Sequence, residues 1–473
     1  MQVKWTILIR SEGPGANDKL QEIGRFERPA DRATVADFGL SRAEGQTLLA
    51  NLQQVVTQQQ VYAYDARRRH CRYCGRYRRI KDWRPRVVDT ALGRVHFRVP
   101  RVLSCLCTPE PLDDNDDPID LRYSECPIES LLPRRTTPEL SYLCARQGAT
   151  LPYRSAALHV AEPTGIPRLS HASVRRETIR SGEFVEDRLF AMGWFADGSR
   201  RRGAGLLRVA LDGTVLRSST REDVSKFKVI AGRIEDDGGM SCRFACAKPS
   251  PLMARALVAA AMHQAGWARH SVVDVVNDGA RGMRSLVTDV TPRVAPVVLD
   301  WFHIGMKLKA LLGPISARCW VPRPEILVRC EKLARRVRDA LWRGRGPLAI
   351  ELLRTLKASL EQALPNLDRF FSSCADTGAR AAQRLLEFVS NNRKNLIDYA
   401  KARKQGRRIS SASAESVMNH VVNRRMSKKQ QMRWSMMGAH FMLQVRVEML
   451  EGRLVDHFTA RFPNFRSPEL VAN

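Results

Sequence analysis

The sequence lacks a long hydrophobic run. No apolar stretch approaches the roughly 20 residues of a membrane-spanning helix, and the apolar residues at positions 5–9 are too few for the hydrophobic region of a signal peptide. These features predict a cytoplasmic protein with no membrane partner. In that compartment the 11 cysteines are not expected to form a disulfide framework, and some of them are candidates for metal binding.

Acidic residues are also scarce relative to basic ones. The 473-residue chain has 78 Lys and Arg against 49 Asp and Glu, a net charge of +29. The excess is clustered, because residues 391–434 contain 12 Lys and Arg but two acids. A polyanion is the natural partner of such a chain, and nucleic acid is the foremost candidate. The length predicts two to four domains.

Carboxylates follow apolar runs at three places in the middle of the chain, at Asp212, Asp278 and Asp300. A fourth acid, Glu415, stands where a helix should begin. A single Asp before Gly, as at Asp212, is also typical of an ordinary turn. Several acids on different elements of a strongly basic chain instead indicate a two-metal site that acts on a phosphodiester.

Four segments resemble a known family. They are LDGT (211–214), VVNDGA (275–280), VLDWFH (298–303) and SASAESVMNHVVNRRMSKKQQMRWSMMGAHFMLQVR (411–446). The chain resembles DDE transposases of bacterial insertion sequences, most closely the ISKra-type group, with Mutator-like relatives. The likeness extends upstream through the cysteines to GLSRAEGQTLLANLQ (39–53).

The resemblance implies a transposase that binds element ends and catalyses DNA cleavage and strand transfer with magnesium or manganese. Asp212 would bridge two metal ions, Asp278 would bind one of them and Glu415 the other. The implied partners are double-stranded DNA of the terminal inverted repeats and of the target, and a second copy of the chain on that DNA. The protein would then associate with the cytoplasmic nucleoid.

The identity of the second acid has an alternative. In the Mutator-like pattern a separate (Cys or Asp)-x-x-His element follows the second catalytic Asp by about twenty residues. Asp300 and His303 fit that element, which favours Asp278 as the catalytic acid, although Asp300 also ends an apolar run. His303 is then a structural or DNA-positioning residue, or simply a satisfied core histidine.

The predicted fold is an α/β catalytic core. Residues 205–305 have the pattern of three strands, a helix, a strand, a helix and a strand, with a hairpin turn at Asp236-Asp237-Gly238-Gly239. This order is similar to the ribonuclease-H-like mixed sheet with flanking helices of DDE transposases, which an all-helical insertion commonly interrupts. The predicted regions are an N-terminal helical region (1–60), a zinc-ribbon-like module (61–130), a helix-turn-helix region (131–195), the core (196–308), the insertion (309–404), the last part of the core (405–455) and a tail (456–473).

Two cysteine pairs flank a strand-like segment. Cys71 and Cys74 precede it, and Cys105 and Cys107 follow it. Thiolates bind zinc tetrahedrally, and two pairs joined by a hairpin are the layout of a zinc ribbon. The alternative is four buried free cysteines, since cysteine is a common core residue.

Two further segments are candidates for DNA binding. Residues 137–181 predict three helices, with Ser170 capping the third and Gly182 ending it; this basic third helix contains Arg175 and Arg176 and resembles the reading helix of a helix-turn-helix motif. A plain helical linker is the alternative. Basic residues around Glu415 are expected to contact phosphates without reading bases. They are Arg403, Lys404, Arg407, Arg408, Arg424, Arg425, Lys428, Lys429 and Arg433. A solvated basic face is the simpler interpretation.

Two other functions compete with the transposase. A ribonuclease-H-like structure-specific nuclease would cut DNA without joining it. A zinc-bearing DNA-binding regulator with an inactive core would do neither, although all three acids are present in this chain.

Overall fold

The computed structural model describes residues 2–12, 20–31, 34–71, 73–105, 107, 124–196, 203–219, 226–247, 250–279, 285–291, 293–427 and 433–468. The predicted DNA-binding residues Lys428 and Lys429 lie outside them. The protein is a mixed α/β structure that divides into two compact units, Met1–Ser181 with Phe458–Asn473, and Gly182–His457. Within the described ranges no helix has both the length and the apolar character needed to cross a bilayer.

The first unit combines two small antiparallel sheets with helices. One sheet pairs β1 with β2, and the other has the order β3-β4-β5. Its elements are β1 (Gln2–Ile9), β2 (Gln21–Pro29), α1 (Arg42–Arg68), β3 (Ile80–Thr90), β4 (Gly93–Leu103), β5 (Ser124–Glu125), α2 (Pro138–Thr150), α3 (Tyr153–Thr164) and the start of α4 (His171–Trp194).

The N-terminal region expected over 1–60 does not end at residue 60. That stretch opens with β1 and β2, and α1, which Ser41 caps as predicted, continues to Arg68. The boundary fails because the end of α1 shares a core with the cysteine-bearing hairpin, where Val61 packs with Val95, Phe97 and Val99. In β4 buried and exposed residues alternate, with Val95, Phe97 and Val99 on the buried side, as their spacing in the sequence indicates.

The three helices predicted for residues 137–181 are present as α2, α3 and α4, and Ser170 Oγ accepts the Ser173 amide at the start of α4. The predicted end at Gly182 is wrong, since α4 continues to Trp194. A Cβ at Gly182 would lie 2.1 Å from the carbonyl oxygen of Phe441. Glycine here therefore permits a close approach of two backbones and does not stop the helix.

The second unit is built on a five-stranded mixed sheet with the order β10-β9-β6-β7-β8. β6 is parallel to β9, β9 is parallel to β10, and β7 is antiparallel to both of its neighbours. The predicted order of elements over 205–305 is confirmed, as β6 (Leu206–Arg217), β7 (Lys226–Asp236), β8 (Ser241–Cys246), α5 (Pro251–Gln264), β9 (Val272–Asn277), α6 (Ser285–Thr288) and β10 (Val298–Leu299).

The first of these strands does not end where its sequence suggests. We expected Gly213 to break the apolar run, yet β6 passes through it to Arg217. β7 pairs with β6 from Leu207 to Arg217, so the ladder of hydrogen bonds overrides the local preference of glycine. Asp212 therefore lies within a strand and not at its end.

Helices follow the sheet, as we predicted for residues 309–404. The helices are α7 (Trp301–Ile315), α8 (Glu325–Trp342), α9 (Gly346–Ala363), α10 (Arg369–Asn391), α11 (Tyr399–Lys404), α12 (Ala412–Val417), α13 (Arg424–Met426), α14 (Met436–Leu450) and α15 (Leu454–Arg461). A single helix was expected over 380–401, but α10 ends at Asn391 and Asp398 caps a new helix, α11. Residues of α7–α10 share one core with Val298 and Leu299 of β10.

Candidate functional site

The first two acids meet at one edge of the sheet. Parallel pairing of β6 with β9 ends at Ala210 opposite Val276, and Asp212 and Asp278 follow these two residues by the same number of positions. β6 and β9 are neighbours in a parallel pairing, and the two acids stand at the same level of that register. Leu211, the residue before Asp212, belongs to the core under α5, so alternation along the strand directs Asp212 to the opposite face of the sheet.

Electrostatics tie the other candidates to Asp212. Burial raises the pKa of the Asp212 carboxyl, the Gly213 amide lowers it by a hydrogen bond of 2.8 Å, and the charges of Asp278 and Glu415 raise it further. The charge of His303 lowers the pKa of Asp212. The charges of Asp278, His303 and Glu415 thus act on Asp212, and α12, the helix that holds Glu415, packs against β6.

Asp300 is used differently from Asp278. It is fully buried at the start of α7, where its Oδ1 accepts the Phe302 amide at 2.8 Å. Its Oδ2 lies 2.7 Å from His303 Nδ1 and accepts the hydroxyl of Ser411. These hydrogen bonds lower the pKa of Asp300 against the effect of its burial. With both oxygens engaged inside the protein, Asp300 acts as a structural anchor, whereas Asp278 is half-buried at the sheet edge.

Asp300 has the largest effect on the pKa of His303. The hydrogen bond to Asp300 raises the pKa of His303, and the charges of Asp300, Asp278 and Asp212 raise it further, while burial lowers it. Nδ1 therefore donates to Asp300. The raised pKa favours a positively charged ring beside the acids, where the sequence alone left the role of His303 open.

The Glu415 helix is fastened to the same anchor. α12 packs across β6 and β7, and Glu415 is half-buried within it. Ser410 or Ser411 was expected to cap this helix. The Ser410 hydroxyl accepts the Ala412 amide at 3.2 Å, whereas the Ser411 hydroxyl donates to Asp300. The start of the Glu415 helix is thereby joined to the start of α7.

Sequence reasoning missed Arg446. Residues Met418–Asn423, directly after the Glu415 turn, form a π-helix, a variant that is frequent at functional sites. Arg446 of α14 is buried, and its guanidinium donates to the carbonyl oxygens of Val421 (2.8 Å) and His420 (2.6 Å). Burial lowers the pKa of Arg446 to about 10. The sequence feature that could have indicated this contact is an arginine within the largely apolar segment that forms α14.

The basic residues around Glu415 divide into three groups. Arg403, Lys404, Arg424 and Arg433 are exposed and accessible to a polyanion. Arg407 forks onto buried Asp274 (2.6 Å for the nearest pair of atoms), and Arg408 pairs with Glu235, so both are engaged within the unit. Arg425 is fully buried with its guanidinium 5.0 Å from the Trp434 ring centroid. The prediction of a phosphate contact by Arg425 is therefore wrong, because no DNA reaches a fully buried side chain.

The other proposed DNA-reading residues lie in the first unit. Arg175 and Arg176 are exposed on the first turns of α4, where Arg176 donates to the Ser173 hydroxyl at 3.2 Å. Their exposure leaves them accessible to a ligand.

The four predicted cysteines come together. The metal-binding atoms of Cys71, Cys74, Cys105 and Cys107 all lie within 4.8 Å of one another. Nearest sulfurs are 3.3–3.5 Å apart, against about 3.8 Å for a tetrahedral zinc site with bonds of 2.3 Å. The Cys74 and Tyr73 amides lower the pKa of Cys71 to about 6. Pre-aligned amides thus favour the thiolate that binds metal, and the cluster could hold one ion.

The three carboxylates do not belong to a compact group of candidate ligands like that of the thiols. Among the described residues, the cysteine group alone has its candidate ligand atoms so close together. Two magnesium ions about 3.5–4 Å apart, each with oxygen ligands at 2.0–2.1 Å, span a larger set of atoms than one zinc ion does. Carboxylates and water are the donors that magnesium prefers, so Asp212, Asp278 and Glu415 fit such a pair by chemistry.

Comparison with known proteins adds no relative. No family model matches the chain, and no curated protein matches it. Functional inference therefore depends on the residues, their geometry and the resemblance of the four sequence segments.

Proposed function

We propose that this protein is a metal-dependent DNA transposase of a bacterial insertion sequence, similar to the ISKra-type group. The observation that carries the proposal is the meeting of Asp212 and Asp278 on adjacent parallel strands, with Glu415 close enough to raise the pKa of Asp212. Three carboxylates at one edge, in a chain with a net charge of +29, suit a reaction on a DNA phosphodiester.

The strand order supports a ribonuclease-H-like core. The sheet has the order β10-β9-β6-β7-β8 with β7 antiparallel to its neighbours, which is similar to the core that the resemblance implies. A run of helices separates β10 from the Glu415 helix, as it does in family members with a helical insertion.

In this proposal Asp212, Asp278 and Glu415 would hold two magnesium or manganese ions. Bound metal would supply charge stabilisation for the attacked phosphate and activate the oxygen nucleophile, water for cleavage or a DNA 3′-hydroxyl for transfer. The chain's own residues hold the geometry: Asp300 and Ser411 fix the start of the Glu415 helix, and Arg446 fixes the turn that follows it.

The DNA-binding parts of the proposal are the exposed residues. Arg403, Lys404, Arg424 and Arg433 would contact phosphates near the acids. α2, α3 and α4 would form a helix-turn-helix that presents Arg175 and Arg176 to the terminal repeats. We also infer that the ion of the cysteine cluster is zinc, since four thiolates prefer it, and that the protein acts as a homo-oligomer on DNA in the cytoplasm.

The test uses the purified full-length protein and a plasmid that carries the coding region with its natural flanking DNA. With magnesium, the parent protein should nick the ends and join pre-cleaved ends to a target, and Asp212→Asn should do neither while it retains DNA binding. Cutting without joining would favour a structure-specific nuclease. Binding without cleavage in magnesium or manganese would favour a regulator with an inactive core.

A further inference from the structure

A tight turn in the first unit presents exposed arginines. The Cys71 amide donates to the Arg76 carbonyl at 2.8 Å, and the Arg78 amide donates to the Arg69 carbonyl at 2.8 Å, so the two sides of the turn are closed. Four exposed arginines at the end of α1 and in this turn have no carboxylate partner among the described residues, namely Arg67, Arg68, Arg76 and Arg79. Arg68 also lies over the Tyr64 ring, 4.9 Å from its centroid. Exposed guanidinium groups without a carboxylate partner favour a polyanionic ligand.

Exposed aromatic rings lie among these arginines. Tyr73 and Tyr77 are 52% and 55% exposed. The guanidinium of Arg69 lies 4.1 Å from the centroid of the Tyr77 ring, and His70 meets the same ring edge-on with centroids 5.1 Å apart. An aromatic ring that is half open to solvent and held by cationic neighbours is the arrangement on which nucleic-acid bases stack.

A cleft adjoins the turn. It has a volume of about 810 Å³, which lies within the range of ligand sites, and Arg67, Arg68, His70 and Tyr73 are among its lining residues. Arg78 also lines the cleft but is paired with Glu125. The lining thus combines Arg67, Arg68 and the exposed Tyr73 ring with two carboxylates, Glu125 and Glu129, which pair with Arg78 and Arg86.

We propose that this basic aromatic cleft, together with the turn beside it, binds unpaired nucleotides of single-stranded DNA, with Tyr73 of the cleft and Tyr77 of the turn stacking on bases and Arg67 and Arg68 holding phosphates. An aromatic face meets the face of a base only where that base has left the duplex stack, so paired DNA would use the charges but not the rings. The choice of DNA rests on the proposed function. The binding itself needs none of the three acids, because they belong to the other unit.

The experiment measures affinity of the full-length protein by fluorescence anisotropy for three labelled probes of about 16 nucleotides or base pairs. The probes are oligo(dT), an abasic strand of the same charge, and a duplex. The parent protein should bind oligo(dT) at least about fivefold more tightly than the abasic strand, the equivalent of about 1 kcal/mol for one stacked base. Equal affinity for these two strands would overturn the proposal.

Variants assign the effect to the rings. Tyr73→Ala and Tyr77→Ala should each weaken oligo(dT) binding about fivefold or more and leave abasic and duplex binding unchanged, whereas Tyr73→Phe and Tyr77→Phe should bind like the parent. Phe38→Ala is the matched control, because Phe38 is a 79% exposed ring of the same unit that belongs neither to the cleft lining nor to the turn that holds Tyr77. A loss in Tyr73→Phe equal to that in Tyr73→Ala, or the same loss in Phe38→Ala, would contradict base stacking.

Asp212→Asn separates this proposal from the catalytic one. It should bind oligo(dT) like the parent, because Asp212 belongs to the second unit. A parent protein that prefers oligo(dT) but never cleaves DNA would refute the transposase and leave the cleft's assignment standing. A parent that cleaves and joins ends but does not distinguish oligo(dT) from the abasic strand would do the reverse.

Discussion

Replacing Asp300 and Asp278 separately by asparagine distinguishes an anchor from a metal ligand. In Asp300→Asn an oxygen that accepts from His303 and Ser411 becomes an amide nitrogen, so two hydrogen bonds to a buried charge are removed. Such bonds contribute about 1.5–3 kcal/mol each. We therefore expect the free energy of unfolding to fall by about 3 kcal/mol or more. Asp278 is half-buried, and Asp278→Asn should change this free energy by less than about 1 kcal/mol.

The two substitutions should also differ in activity. Asp278→Asn should abolish metal-dependent DNA cleavage in a stably folded protein, since it removes a ligand charge without changing shape. Asp300→Asn should reduce cleavage in parallel with the displacement of the Glu415 helix, and Ser411→Ala, which removes one of the same hydrogen bonds, should reproduce part of that reduction. Chemical denaturation with linear extrapolation measures the stability, and nicking of end-bearing DNA measures the activity.

Stability against pH provides an independent check on the same anchor. Asp300 raises the pKa of His303 above its ordinary value of 6.5. Protonated His303 therefore stabilises the fold fully below about pH 6.5, and this contribution is lost as the pH rises through the folded-state pKa. Asp300→Asn should flatten that part of the profile. The reasoning is refuted if Asp300→Asn is as stable as the parent but inactive while Asp278→Asn cleaves normally, because Asp300 would then be the catalytic acid.

Three further perturbations test other parts of the structure. Cys71→Ser should lose a metal ion that elemental analysis finds at about one per chain in the parent; an active parent without zinc would contradict the site. Neutralising exposed Arg403 and Lys404 together should weaken specific and random DNA binding alike and reduce the slope of log K against log salt by about 0.9 for each phosphate that the variant no longer neutralises, whereas an unchanged slope would mean that neither side chain binds phosphate. Burial raises the pKa of Asp65 to about 6, and neither of its oxygens has a hydrogen-bond partner among the described residues. Stability therefore falls as the pH rises from about 3.8, the ordinary value, towards 6, and levels off above it, so Asp65→Asn should raise the melting temperature increasingly between about pH 4 and pH 6; a gain that does not depend on pH would argue against a buried charge.

Local pattern was sufficient for much of the fold. The order of strands and helices over 205–305, the alternation of β4 and the cap at Ser41 all follow from short-range periodicity and side-chain hydrogen bonds, which nearby residues determine. The four cysteines could be chosen by their spacing because metal-binding thiols are few and distinctive. Asp212 and Asp278 could be paired because each follows an apolar run, and the parallel register of β6 and β9 brings these runs level with each other.

Other features depended on partners distant in the sequence. Gly213 continues a strand because β7 pairs along it, and Gly182 continues a helix because the Phe441 backbone approaches it closely. Arg425 reads as a phosphate contact in its basic run, yet packing buries it over Trp434. Asp300 and Asp278 look alike as acids that end apolar runs, and the contact of Asp300 with Ser411 separates them. Sequence supplies the chemical groups and their local periodicity, whereas burial and long-range hydrogen bonds, which only the folded chain creates, decide which charges remain accessible to a ligand.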